Sequence, residues 1–279
     1  MKKIASHLLE EKARIKNDWP LRDAGGLPLL FSPLLAGMPG LTHAFTTRLG
    51  GQSLEPLQWF NLGRHWPSEQ SRRDATANRS RLCRALSLDF SRLVVPGQVH
   101  STRIAWVSEP ESLPDVDAVA SSLTDTPILL HYADCVPVII FEQKTAAVCV
   151  VHAGWRGTAG GIVARAVRAI SATLDAEPEN MVAAVGPAIG DCCYPVGEDV
   201  ARELAASAGG AERLIRRGDG RLFPDLKALN ALQLLDSGVG AVDVCSFCTA
   251  CRTDLFYSHR ASGGKTGRQG AIACLRPLI

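Results

Sequence analysis

Several things are scarce in this 279-residue chain, and each scarcity excludes something. Charge of one sign is the first: 30 basic residues stand against 28 acidic ones, a net charge of +2. That is too little for electrostatics to argue for nucleic acid as a partner. Long apolar runs are missing too. No stretch approaches the roughly 20 residues that span a bilayer, and residues 1–19 are too polar for a secretory signal peptide. No internal repeat, low-complexity tract or linker interrupts the sequence. Histidines number only seven, few for an oxidase that needs several coppers. What is plentiful is apolar surface, 46% of residues, enough for one large core or two lobes sharing a sheet. The nine cysteines of such an unsecreted chain read as reduced thiols rather than a disulfide framework, so a cytoplasmic enzyme is expected.

Three residues carry the chemistry. His100, Cys135 and His152 each lie at the end of an apolar, strand-like run, in LVVPGQVH, ILLHYADC and AAVCVVHAGWRG. Strand ends of one packed sheet gather at a rim, so residues distant in sequence can meet there. A thiolate and two neutral imidazoles match zinc, and three protein ligands leave a fourth tetrahedral position open, the catalytic pattern. Ordinary packing explains any one of them alone. A structural zinc would need a fourth ligand, for which His131, four residues before Cys135, is the available residue.

His152 also opens HAGWRGTAGG, a glycine-rich turn running into an amphipathic helix. Such a turn lets backbone N–H groups face an anion. Thr158 or a neighbouring glycine is the candidate cap, and from Thr158 onward Ile162, Val163, Ala166, Val167, Ile170 and Leu174 recur at helical spacing, with Arg165 and Arg168 opposite. Arg156 precedes the helix with a guanidinium suited to phosphate.

Periodicity predicts further helices near 71–87, 198–207 and 224–236, besides the one over 158–174. Strands are expected through 41–47, 92–99, 104–107, 127–132, 136–141, 146–152, 181–185 and 242–247. Residues 1–16 could form a short amphipathic helix. Because the elements are mixed rather than strictly alternating, the pattern favours a single α+β domain, with mixed β-sheets sandwiched by helices. The CSFCTAC segment places Cys245, Cys248 and Cys251 at the gaps of a metal knuckle, but no well-spaced fourth cysteine follows before Cys274. Cys192 and Cys193 are adjacent and do not readily bridge to each other.

The strings THAFTTRLGG (42–51), NLG (61–63), GQVH (97–100), YADCVPV (132–138), VVHAGWRGTAGGI (150–162), VGPAIGDCCYPVG (185–197) and TDLFYSHRASGGKTGRQ (253–269) occur in a telling order. Together they resemble the multicopper polyphenol oxidase "laccase-domain" family, whose members are described as purine nucleoside phosphorylases and some as peptidoglycan-editing factors. The resemblance covers residues 28–279, leaving 1–27 as an N-terminal extension. It implies a layered α/β/β/α sandwich and a zinc site on His100, Cys135 and His152, with copper in some relatives. It also implies activity on adenosine, inosine and related purine nucleosides, with phosphate as co-substrate.

Substrate contacts follow mainly from the resemblance. Arg48 in TTRLGG, Asn61 in NLG, and Tyr257, Arg260 and Arg268 around a Gly-Gly turn, expected to be a mobile surface loop, join Arg156. Arginines suit phosphate through forked hydrogen bonds, and an aromatic suits a nucleobase through stacking. One departure is visible: relatives often continue the NLG segment with an acidic pair, whereas this chain reads NLGRHWPSEQ, which leaves His65 unassigned.

Two reactions can share such a site, phosphorolysis and adenosine deamination, the latter with Asp134 as candidate proton shuttle. The same residues permit a rival, in which Cys135 and His100 or His152 act as nucleophile and base of a hydrolase on amide or peptide bonds, as in peptidoglycan-precursor editing. Copper oxidation of phenols is the weaker alternative, and a binding module braced by zinc is the non-enzymatic one.

Overall fold

A computed structural model describes residues 12–13, 15–109 and 113–278. Most of the helix expected over residues 1–16 lies outside them. In chain order the main elements are β1 (Leu21–Ala24), β2 (Leu27–Leu30), α1 (Pro33–Ala36), β3 (Leu41–Thr46), α2 (Glu69–Ala85), β4 (Ile104–Val107), β5 (Ala118–Ser121), β6 (Ile128–Tyr132), β7 (Val136–Glu142), β8 (Ala147–Ala153), α3 (Trp155–Ala159), α4 (Ile162–Leu174), β9 (Met181–Val185), α5 (Glu198–Ala206), β10 (Ile215–Gly218), β11 (Arg221–Pro224), α6 (Leu226–Asp236), β12 (Ala241–Val244) and β13 (Gln269–Leu275).

These build two large sheets. One has five strands, all antiparallel, in the order β1-β2-β3-β13-β6. The other has six, in the order β12-β9-β7-β8-β5-β4, with β12–β9 and β4–β5 parallel and the remaining pairs antiparallel. Strand alternation decides the layers. On β7, Val136, Val138 and Ile140 join the core beneath α4 and α6, while Ile139 and Phe141 face the other sheet beside Phe45, Tyr132 and Ala271. The outer face of the five-stranded sheet packs through Leu29, Ala44 and Ile272 against Leu82 of α2. The result is a single-domain α+β fold in the expected α/β/β/α order. Among the described residues no helix is long and apolar enough to cross a membrane.

Segments preceding residue 28 are tied into this body. The Asn17 amide bonds Val244 O at 2.7 Å, and Trp19 is buried against Phe45 at a ring separation of 5.0 Å. β1 continues the five-stranded sheet.

Two expected elements differ, and a buried strand lies where none is expected. The strand over 92–99 is a 3-10 turn at Phe90–Arg92 followed by one bridge, Val94 to Ile128; Pro96 has no N–H to extend a ladder, and Gly97 follows it. The helix over 158–174 is two helices, α3 and α4, parted at Gly160 and Gly161, the latter left-handed at φ +68°. Thr158 therefore lies inside α3, where its buried hydroxyl accepts a hydrogen bond from Asn230 Nδ2 at 2.9 Å, and the cap of α4 is the neighbouring Gly161. Residues 269–275, unassigned in the sequence, form β13, the buried strand that joins β3 to β6. The helices at α2, α5 and α6 and the strands at β3, β4, β6, β7, β8, β9 and β12 fall at or within a few residues of their expected positions.

Candidate functional site

The trio forms where the chain passes from one sheet to the other. Cys135 ends the three-residue turn between β6 of the five-stranded sheet and β7 of the six-stranded sheet. His152 is the penultimate residue of β8, on the face between the sheets, paired with Pro137 and packed 5.5 Å from the Tyr132 ring. His100 arrives on the loop before β4. The nitrogen and sulfur ligand atoms of His100, Cys135 and His152 all lie within 4.8 Å of one another, and the two imidazoles sit 4.9 Å apart edge to face.

A residue that sequence reasoning missed organises this group. Asp117, fully buried just before β5, accepts a hydrogen bond from His152 Nδ1 at 2.8 Å. It also accepts from the backbone N–H groups of His100 (3.0 Å), Ser101 (2.6 Å) and Val99 (3.3 Å), and from the Ser101 hydroxyl at 2.7 Å. Burial would raise its carboxyl, but the bonds from His152 and Ser101 outweigh it and hold Asp117 well below the usual carboxylate range. One side chain thus orients one imidazole and braces the loop bearing the other. It leaves His152 its Nε2 for a ligand and fixes the tautomer, as outer carboxylates do at metal-binding histidines.

Electrostatics agree. Burial pushes the Cys135 thiol up, but contact with His152 and His100 brings it down to about 6; burial lowers His152, but Cys135 and Asp117 raise it to about 9. The thiol is therefore a ready thiolate among positive or hydrogen-bonding neighbours. Two non-glycine residues here adopt left-handed backbone, His100 at φ +60° and Asp134 at φ +84°, a conformation costing about 1–3 kcal/mol each and sustained only where surroundings fix it. Asp117 does so for His100. For Asp134, Oδ1 accepts from the Thr249 hydroxyl at 2.6 Å and Oδ2 from the Arg260 amide at 2.7 Å. Gly154 is required by close approach: a Cβ there would lie 2.9 Å from His100 Cδ2 and 3.2 Å from Cys135 Sγ.

The trio opens into a cleft of about 970 Å³, within the range of small-molecule sites. Asp134, Trp155, Arg156, Tyr194, Arg260 and Arg268 are among its walls, with His65, Arg79, His131 and His259 also facing it. Arg156 packs on the Trp155 ring at 4.3 Å and, among the described residues, has no protein acceptor. Arg260 lies 4.9 Å from the Tyr194 ring. The other expected substrate contacts sit behind the wall. Arg48 donates to Gln58 O and Thr253 O and packs between Trp59 and Tyr257. Tyr257 is fully buried with its hydroxyl donating to Leu57 O at 2.8 Å. Asn61, also buried, accepts from the Gly63 and Arg268 amides, fixing the backbone that presents Arg268. His131 is no fourth ligand: it is absent from the ligand group, and its Nε2 faces Arg79 Nη2 at 3.3 Å.

The donor set fits a single borderline-soft divalent ion, with three protein ligands, an oriented imidazole and an open side toward the cleft.

Comparison with known proteins gives the same direction. The family model described as "Multi-copper polyphenol oxidoreductase laccase" matches residues 42–276. The chain is 38% identical over 252 residues to "Purine nucleoside phosphorylase" of Deinococcus radiodurans, covering 89% of this chain and 93% of that protein. It is 35% identical over 247 residues to "Purine nucleoside phosphorylase YlmD" of Geobacillus stearothermophilus, covering 84% and 89%. The crystal structure of YlmD from that organism superposes with a TM-score of 0.84 at 33% identity, over 94% of this chain and all of the other.

Proposed function

The chain belongs to the multi-copper polyphenol oxidoreductase laccase family, and from that premise we propose that it is a metal-dependent purine nucleoside phosphorylase. The observation that carries the reading is that one cleft holds the His100–Cys135–His152 group together with Arg156, Arg260 and Arg268 and the rings of Trp155 and Tyr194. His100, Cys135 and His152 would hold zinc, with copper as the alternative ion. When bound, the metal supplies Lewis-acid polarisation of a ligand held at its open side.

The remaining chemistry belongs to the protein. Arg156, Arg260 and Arg268 offer forked donors to phosphate and place one of its oxygens against C1′ of the ribose. As that oxygen bonds to C1′, the C1′–N9 bond breaks and the electron pair leaves with the purine, which takes up a proton. Trp155 and Tyr194 provide flat faces for the base. The products are free purine and ribose 1-phosphate. Nucleosides bearing a 5′-methylthio group are further substrates of this reading, and its free thiols suit a reducing compartment, the cytoplasm.

Adenosine deamination is the second activity we assign to the same cleft, because the ligand group keeps a side open to solvent and substrate. Asp134 is held by the Thr249 hydroxyl on one oxygen and the Arg260 amide on the other, and each oxygen keeps a lone pair for a shuttled proton. Phenol oxidation by several coppers is poorly supported by the donor set: among the described residues, the other candidate ligand group contains four cysteines and no histidine.

The test is product analysis. Metal-loaded protein given inosine or adenosine should release hypoxanthine or adenine only when phosphate is present, and should convert some adenosine to inosine. Failure to consume either nucleoside overturns the proposal. Amide hydrolysis by metal-free protein, abolished by iodoacetamide, would establish the Cys135 hydrolase instead.

A further inference from the structure

The second ligand group joins residues far apart in the chain. Cys192 and Cys193 lie on the loop after β9, Cys248 and Cys251 on the loop after β12, yet the four sulfurs all fall within 4.8 Å of one another. Cys251 Sγ is 3.5 Å from Cys192 Sγ and 3.4 Å from Cys193 Sγ. A tetrahedral zinc with bonds near 2.3 Å needs sulfurs about 3.8 Å apart, so the spacing needs little adjustment.

An independent observation lies in the backbone. The Gly190 amide donates to Cys248 Sγ at 3.2 Å. An amide turned onto the first sulfur of a C-x-x-C segment stabilises a thiolate and tightens the loop around it. A Cβ at Gly190 would lie 3.1 Å from Cys192 Sγ and 3.3 Å from Cys248 Cβ, so this backbone is pressed onto the thiols. Cys245 takes no part: it is buried, and its carbonyl accepts from Lys227 Nζ.

We propose that Cys192, Cys193, Cys248 and Cys251 form a second metal site, a closed four-thiolate site for one soft divalent ion, zinc foremost. Four protein ligands leave no open position, so the ion is structural. Its place in the fold gives it a purpose. The first loop carries Ile189 and Tyr194 of the cleft wall, and the second carries Thr249, which holds Asp134. Backbone contact between them is otherwise narrow, with Thr249 N to Ala188 O at 3.1 Å and the single bridge of Ala188 to Cys248. A shared ion pins the two together behind the cleft.

Cobalt(II) is the probe, since sulfur-to-cobalt charge transfer in the near ultraviolet grows with the number of thiolates bound. In Cys135→Ser, where the His100–Cys135–His152 group offers no sulfur, cobalt is expected to give an intense band at one equivalent. Adding Cys248→Ser and Cys251→Ser should abolish it and lower bound metal by about one equivalent per chain. The Cys135→Ser measurement stands even if the combined variant fails to fold, and it is independent of nucleoside turnover. No charge-transfer band in Cys135→Ser, or a Cys251 disulfide to Cys192 or Cys193 in protein isolated without reductant, overturns the site.

Discussion

The carboxylate of Asp117 accepts from His152 Nδ1 at 2.8 Å while the same side chain gathers the amides of residues 99–101. Orientation of the ligand imidazole and placement of the His100 loop are therefore one act. Asp117→Asn, which weakens the acceptor at nearly constant size, should lower metal affinity about 10- to 100-fold. Competition with a chelator measures it; an unchanged affinity would show that Asp117 serves the loop alone.

Gly154→Ala places a methyl group against His100 and Cys135. Because the intrusion is confined to the ligand group, metal affinity should fall by about 10-fold or more, with a small loss of thermal stability. Parallel metal titration and melting curves separate the two effects.

Arg156 lies over the Trp155 ring and, among the described residues, its guanidinium meets no protein acceptor, so it is available to an anion. Arg156→Met should raise the KM for phosphate and reduce kcat/KM about 10- to 100-fold, the worth of a charged hydrogen bond, with less effect on nucleoside binding. Arg156→Lys should recover part of the loss, since lysine keeps the charge but not the fork.

Away from the cleft, Lys227 is buried and donates to the carbonyls of Cys245 (2.7 Å), Ser246 (3.1 Å) and Phe247 (2.8 Å), where the chain leaves β12. Lys227→Met leaves those acceptors short of a donor, an expected cost of about 2–4 kcal/mol in urea unfolding.

His43 gives the pH dependence. It is buried and accepts from the Ser32 amide, and burial lowers its pKa from 6.5 to about 4 against the pull of Asp243. The unfolded chain takes up a proton below 6.5 that the native state refuses until about 4. Stability from this group is complete above 6.5 and declines as pH falls, by about 1.4 kcal/mol per unit. The difference in unfolding free energy between wild type and His43→Asn should therefore shrink between pH 7 and pH 5; a constant difference would refute the assignment.

Much of this is legible in the sequence. Strand-end logic holds for Cys135 and His152, whereas His100 follows an apolar run that forms no strand and is brought in on a loop; the layered fold follows the resemblance and the mixed elements. What stayed hidden depends on tertiary contact. Asp117 obeys the same logic, an acid opening the apolar run AVAS, but a single carboxylate among 28 acidic residues carries no local mark. Read by its apolar pattern, LVVPG looks like a strand, yet Pro96 ends the ladder after one bridge. β13 adjoins a glycine-rich segment that reads as a loop. Cys192 and Cys193, being adjacent, do not readily bridge to each other, and only the fold carries them to Cys248 and Cys251.

The most direct test is to titrate metal-free protein with zinc while following phosphate-dependent release of hypoxanthine from inosine. Turnover should rise with one ion bound by His100, Cys135 and His152 and be absent in Cys135→Ser at any zinc concentration. Full turnover in metal-free protein, or none in protein whose site is shown to be filled, would contradict the account.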